Sequence, residues 1–306
     1  MSTADNNDMS MCGACGMNGD GLKACTACKM VKYCNATCQR AHWSKHKKQC
    51  KKRAAELHDE ALFNQPPPRD ECPICLITMP LENMRDLSHT SYNVYCGTAL
   101  CDGCWYGFAR EDSERQLCPF CRLPASSSNE ESMERLRKRV EVNDAGAIRQ
   151  LGGYYYQGVM GLPQDLNRAM ELYLKAGKLG NAMSYFNVGN FYCNGEGAEM
   201  DMKKAVHYWE LAAMAGYVVA RHNLGMFEYN SGNMNRAVKH WMISAGAGYD
   251  DSLQEIQEGY TGGYVTKDDF EKALRAHKEA NDELKCGQRE AAAAFLAARD
   301  AAGGQI

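Results

Sequence analysis

Fourteen of the sixteen cysteines fall before residue 122, and ten of these form five C-x2-C pairs: Cys12/Cys15, Cys25/Cys28, Cys72/Cys75, Cys101/Cys104 and Cys118/Cys121. Two thiols on one tight turn chelate a soft metal ion more readily than they close a strain-free disulfide with each other. The chemistry on offer is structural zinc binding, not a disulfide framework. Cys193 and Cys286 stand outside the pattern and read as isolated free thiols. The stretch "CGTALCDGC", residues 96 to 104, has the spacing for zinc, yet Thr98 occupies a slot where a histidine would complete it.

Residues 12 to 50 read C-x2-C-x9-C-x2-C-x5-C-x3-C-x7-H-x3-C. Those eight soft ligands make two tetrahedral sites with nothing left over. The apolar residues among them, Met11, Met17, Leu22, Met30, Val31, Tyr33 and Trp43, are too few for a core. Structural zinc supplies about 10 to 16 kcal/mol of apparent folding energy in finger peptides, so this segment is expected to be unfolded without metal.

The spacing and the string "YCNATCQRAHWSKHKKQC", with its Cys-Gln step and His-Trp pair, resemble the MYND zinc finger. The resemblance implies interleaved sites: Cys12, Cys15, Cys34 and Cys38 around one zinc, and Cys25, Cys28, His46 and Cys50 around the other. It leaves His42 as a packing or surface residue. It also implies a protein-interaction module whose partners are short proline-containing peptides. Charge offers a rival: residues 21 to 53 hold ten Lys/Arg and no Asp/Glu, and two zincs with seven thiolates still leave about +7. Nucleic acid is disfavoured because neither a recognition helix nor an aromatic platform accompanies the charge.

Residues 72 to 121 read C-x2-C-x20-C-x-T-x2-C-x2-C-x13-C-x2-C. This resembles a RING finger. Carried over position by position, Cys72, Cys75, Cys101 and Cys104 form one site, and Cys96, Cys118 and Cys121 form the other with residue 98, here Thr98. A neutral hydroxyl is a poor zinc ligand, so the fourth position falls to His89, to water or to a carboxylate such as Asp102. The resemblance further implies docking of a ubiquitin-conjugating enzyme (E2) through Ile74, Trp105, Phe108 and Pro119, with Arg122 hydrogen-bonding both partners. Catalysis of that kind needs no nucleophile, only positioning of a thioester.

These ligands require elements to hold them. A helix, "KKRAAELHDEALF", and a proline-rich spacer, "NQPPPRDE", follow the first block; the polar "ASSSNEES" follows the second. Beyond it the chain repeats. Ala169, Ala205, Ala237 and Ala273 recur at intervals of 36, 32 and 36 residues, with Tyr173, Trp209, Trp241 and His277 in the same rhythm, while Gly152, Gly189 and Gly225 mark a second register. That period belongs to an α-solenoid whose neighbouring units bury each other's apolar faces. The motifs closely resemble Sel1-like repeats, relatives of TPR units, and the aromatic stripe reads as inter-repeat core.

Composition agrees with a globular chain: 45% hydrophobic, 24% charged, net charge −3. No apolar run approaches a membrane span, and the polar start predicts an intracellular protein, cytoplasmic, nuclear or both. The expected architecture is mostly α, with two small cross-brace zinc-finger modules followed by an α-solenoid of Sel1/TPR-like helix pairs. Its parts are a finger at 11–53, helix and linker at 54–69, a second finger at 70–124, repeats at 135–280 and an Ala-rich tail, read as a frayed helix, at 281–306. Four zinc ions are expected. The preferred function is a RING-type E3 ubiquitin ligase that recruits an E2, with the first finger and the solenoid choosing partners. The alternative is a non-catalytic scaffold. A lysine methyltransferase, suggested by the company MYND fingers keep, is rejected because no SET-like segment is present.

Overall fold

A computed structural model describes residues 11–81, 90–93, 96–111, 117–124 and 126–301. The chain divides into two compact units, Met1–Asn64 and Gln65–Ile306.

In the first unit a two-stranded antiparallel ribbon, β1 (Lys23–Ala24) and β2 (Lys32–Tyr33), precedes α1 (Ala36–Leu62). The Asn35 side chain caps α1 by accepting from the Cys38 amide at 3.0 Å, one of the orphan donors of a helix start. Cys38, His42, His46 and Cys50 recur every four residues and so share one face of α1. The buried cluster here is Cys12, Cys25, Cys28, Tyr33 and Cys50. Four of its five members are candidate ligands, so the core and the metal sites are the same thing.

The second unit begins with the hairpin β3 (Thr90–Asn93) and β4 (Thr98–Cys101), followed by α2 (Asp102–Glu111). Nine helices follow as far as residue 282: α3 (Asn129–Glu141), α4 (Ala145–Gln157), α5 (Leu166–Lys178), α6 (Ala182–Asn194), α7 (Met202–Met214), α8 (Val218–Asn230), α9 (Met234–Gly246), α10 (Asp250–Thr261) and α11 (Lys267–Asp282). Asp144, Asp165, Asn181 and Asp201 cap α4 to α7 through their side chains, and Gly158 and Gly195 end α4 and α6 in left-handed conformation.

The two repeating registers are two halves of one contact. A β-carbon on Gly189 would lie 2.4 Å from the Trp209 ring, and one on Gly225 would lie 2.3 Å from Trp241. Glycine inside a helix costs about 1 kcal/mol against alanine, and it persists here because the aromatic ring of the following helix occupies the space. Trp209 donates its indole N–H to Asn190 at 3.0 Å. Trp241, fully buried, has no partner for its own N–H among the described residues. At the matching position this repeat carries Met226, which packs into the cluster instead. Among the described residues no helix is long and apolar enough to cross a membrane.

Two segments have packing partners that the sequence reading did not supply. The proline spacer is packed: Pro67 lies against the turn at Gly216, where an added β-carbon would be 3.3 Å from the proline ring. The Ala-rich tail, read as a frayed helix, forms α12 (Gly287–Ala301), and Tyr106 of α2 meets Phe295 of α12 with ring centroids 5.2 Å apart. Alanine-rich sequence makes a helix cheaply, but only a neighbouring surface gives it a place.

Candidate metal centre

Four C-x2-C turns share one backbone conformation. The amide four residues after the first cysteine donates back to that cysteine's carbonyl: Gly16 to Cys12 at 2.9 Å, Lys29 to Cys25 at 3.0 Å, Leu76 to Cys72 at 2.8 Å and Arg122 to Cys118 at 2.9 Å. All four donors have positive φ, 73°, 59°, 57° and 61°. Only the first is glycine. A side-chain-bearing residue in this region costs about 1 to 2 kcal/mol, and the turn that imposes it sets both thiols of the pair on one side.

The thiols meet in four sets. Cys12, Cys15, Cys34 and Cys38 form one; Cys25, Cys28, His46 and Cys50 form the second; Cys72, Cys75, Cys101 and Cys104 form the third; Cys96, Cys118 and Cys121 form the fourth, with ligand atoms of each set within 4.8 Å of one another. Sulfur pairs stand at 3.5 Å (Cys15 and Cys34), 3.7 Å (Cys25 and Cys50), 3.8 Å (Cys75 and Cys101) and 3.9 Å (Cys96 and Cys118), and Cys28 Sγ is 3.3 Å from His46 Nε2. A tetrahedron with Zn–S arms of 2.3 Å has edges of about 3.8 Å, so the sets fit zinc.

Their ionisation fits it too. Hydrogen bonding from the Cys15 amide holds the Cys12 thiol down to about 6, while its bonds to Cys15 and Cys12 push Cys34 up to about 12. In the second set burial opposes the charge on Cys25, yet the Cys28 amide and His46 bring it down to about 6; burial and the bond to Cys25 push Cys50 up to about 12. Burial likewise opposes Cys72, which the amides of Cys101 and Cys75 lower to about 6, while burial and Cys101 drive Cys104 far up. One thiolate forms and forbids the next. A divalent cation removes that conflict and lets the whole set ionise.

His42 is not in a set: its Nδ1 meets Tyr33 Oη at 3.1 Å, and its ring stacks on His46 at 5.8 Å. In the fourth set, Thr98 pairs across the hairpin with Asn93, whose buried side-chain amide donates to Cys118 Sγ at 3.1 Å. Asp102 is not among the residues of that set; it lines a cavity of about 240 Å³ with Asn281, Leu284, Lys285 and Arg289. His89 lies outside the described residues. Ile74 is 44% exposed and Trp105 38%; Phe108 and Pro119 are half-buried and Arg122 is exposed.

The sequence reading missed what surrounds the third set. Arg289 of α12 donates from Nη1 to Thr78 O at 2.9 Å, and from Nη2 to Ile77 O at 3.2 Å and Cys75 Sγ at 3.8 Å. The Gln288 amide lies 3.9 Å from Cys104 Sγ. Cys75 and Arg289 are 214 residues apart, and no local spacing signals such a pair.

Against known families, the chain matches the MYND finger over residues 12–50 and the Sel1 repeat over 145–181 and 182–217. It is similar to chitin synthase regulatory factor 3 of Schizosaccharomyces pombe, 32% identical over 84 residues, 28% of this chain and 9% of that protein. It is also similar to SET domain-containing protein 14 of Caenorhabditis elegans, 43% identical over 51 residues, 17% of this chain and 11% of the other. The chain thus spans about a tenth of these curated relatives. Among solved structures it resembles a Sel1 repeat protein from Oxalobacter formigenes (TM-score 0.44, 22% identity, 60% of this chain and 73% of that one). A protective antigen of uropathogenic Escherichia coli with an SLR fold is similar at TM-score 0.42 and 30% identity, over 50% of this chain and 33% of that one. The chain therefore carries a MYND finger and Sel1 repeats, a zinc-binding and protein-interaction architecture.

Proposed function

We propose that the second cysteine-rich block is a RING-type finger and that the chain is an E3 ubiquitin ligase, with four zinc ions held by the four thiol sets. The observation that carries this reading is the interleaving of the third and fourth sets, Cys72/Cys75 with Cys101/Cys104 around Cys96 with Cys118/Cys121. On an α-helix, residues advance by 100°. Trp105 and Phe108 therefore lie about half a turn from Gly103, Tyr106 and Gly107, the positions that meet α12. The side that would receive an E2 is the one α12 leaves uncovered, and Ile74, Trp105 and Arg122 are exposed. The fourth ligand of the last set is His89 or water, with Asn93 hydrogen-bonded to the adjacent thiolate. The first finger takes proline-containing peptides and the solenoid holds a second protein.

The test is discharge of ubiquitin from a panel of charged E2 enzymes by the full-length chain. Activity that Ile74→Ala abolishes is the expected result. Zinc-loaded, folded protein that discharges no E2 would move the reading to a non-catalytic scaffold built from the same modules.

A further inference from the structure

We propose that Arg289, carried by α12 onto the turn of Cys72 and Cys75, is the counter-ion of the Cys72/Cys75/Cys101/Cys104 set and slows the loss of its metal. The inference rests on the zinc reading of the second block. Four thiolates around one Zn²⁺ leave a net charge of about −2, which is costly in a site where Cys72, Cys101 and Cys104 are all buried. A guanidinium is the group suited to such a place: always charged, with a planar fork of donors. Arg289 turns most of that fork toward the metal loop. One arm is shared between the Thr78 carbonyl and the Leu284 carbonyl just before α12, and the other divides between the Ile77 carbonyl and the Cys75 sulfur.

The Ile77 carbonyl also accepts the Cys72 amide at 3.0 Å, so Arg289 grips the turn that presents both thiols of the pair. The approach is close: a β-carbon on Gly103 would stand 2.7 Å from the Arg289 main-chain nitrogen and its Cγ. Glycine in the second position of α2 is what lets α12 come down over the set. Outer partners of metal ligands fix ligand geometry, and losing one typically costs 10-fold to 100-fold in metal affinity.

The experiment follows zinc transfer from the full-length chain to a chromogenic chelator in wild type, R289Q, R289K and F295A. R289Q is expected to release one zinc per chain about tenfold faster. R289K, which keeps the charge, restores most of the delay. F295A removes the contact to Tyr106 without touching the charge and stays closer to wild type than R289Q does. In cadmium-substituted protein, R289Q shifts the NMR resonance of one all-thiolate site and leaves that of the first finger in place. Wild-type release kinetics in R289Q would overturn the proposal, as would F295A matching R289Q while R289K gives no rescue, the signature of packing alone. The zinc count of the wild type separates the two possible failures: a chain that binds only the two ions of the first finger overturns the zinc reading itself and the inference with it.

Discussion

The first finger and the second cysteine-rich block use the same turn and are supported in opposite ways. Cys12, Cys25, Cys72 and Cys118 each accept from the amide four residues on, at 2.8 to 3.0 Å. Around the first pair of turns, the buried cluster consists of Tyr33 and ligands, so the metal decides whether there is a fold. Around the second pair, protein does part of that work. Tyr92 of the hairpin packs on Met133, Leu136 and Ala147 of the solenoid's first helices, its ring so close to Gly146 that a β-carbon there would stand 2.5 Å away. At the other end α12 lies over α2 and Arg289 holds the Cys72 turn. A cysteine-rich module can have a core made of its own ligands or lean on neighbouring helices, and local spacing does not distinguish the two.

Metal removal should produce the largest contrast. Chelation is expected to unfold residues 12 to 50, which depend on about 10 to 16 kcal/mol from zinc, while α4 to α11 keep their helical signal. The hairpin of the second block should keep intermediate protection through Tyr92. Limited proteolysis or hydrogen exchange reads this out, and equal loss in both blocks would break the comparison. Tyr92→Ala comes next. Removing a half-buried ring from this junction should destabilise the second unit by about 2 kcal/mol, below the 3 to 5 of a fully buried aromatic, and leave zinc binding by the first finger unchanged. Loss of metal from the first finger in that variant would show the two blocks to be coupled.

The smallest effect is electrostatic. Burial opposes the charge of Asp144, yet the Ala147 amide and Arg139 hold its carboxyl below the ordinary carboxylate value. A depressed pKa contributes stability that is complete above the unfolded value of about 3.9 and disappears as pH falls through the folded one. The difference in Tm between wild type and D144N, followed by the helical signal, should therefore stay constant above about pH 5 and close below about pH 4. Widening of that gap in acid would reverse the assignment.

Much of this was legible beforehand because it is local. A C-x2-C turn is a property of a few residues, and the 36-residue rhythm of Ala169, Ala205 and their aromatic partners needs only the helical period. The glycines at 152, 189 and 225 were visible as a register, but their reason was not: each gives its place to a ring on the next helix. Thr98 was visible as a gap, and Asn93 was overlooked because its relation to the site runs through strand register, which ligand spacing does not encode.

The amino-acid order alone determined the candidate thiols, the helix pairs and the MYND and Sel1 modules, since each follows from short-range spacing and burial of one helical face. Tertiary structure decided how the second block is held, what the alanine-rich tail does and which side of α2 stays open. Those depend on surfaces more than 200 residues apart meeting at one place, as Arg289 meets Cys75. Such a meeting is set by the stacking of all the intervening helices, so no segment carries it by itself.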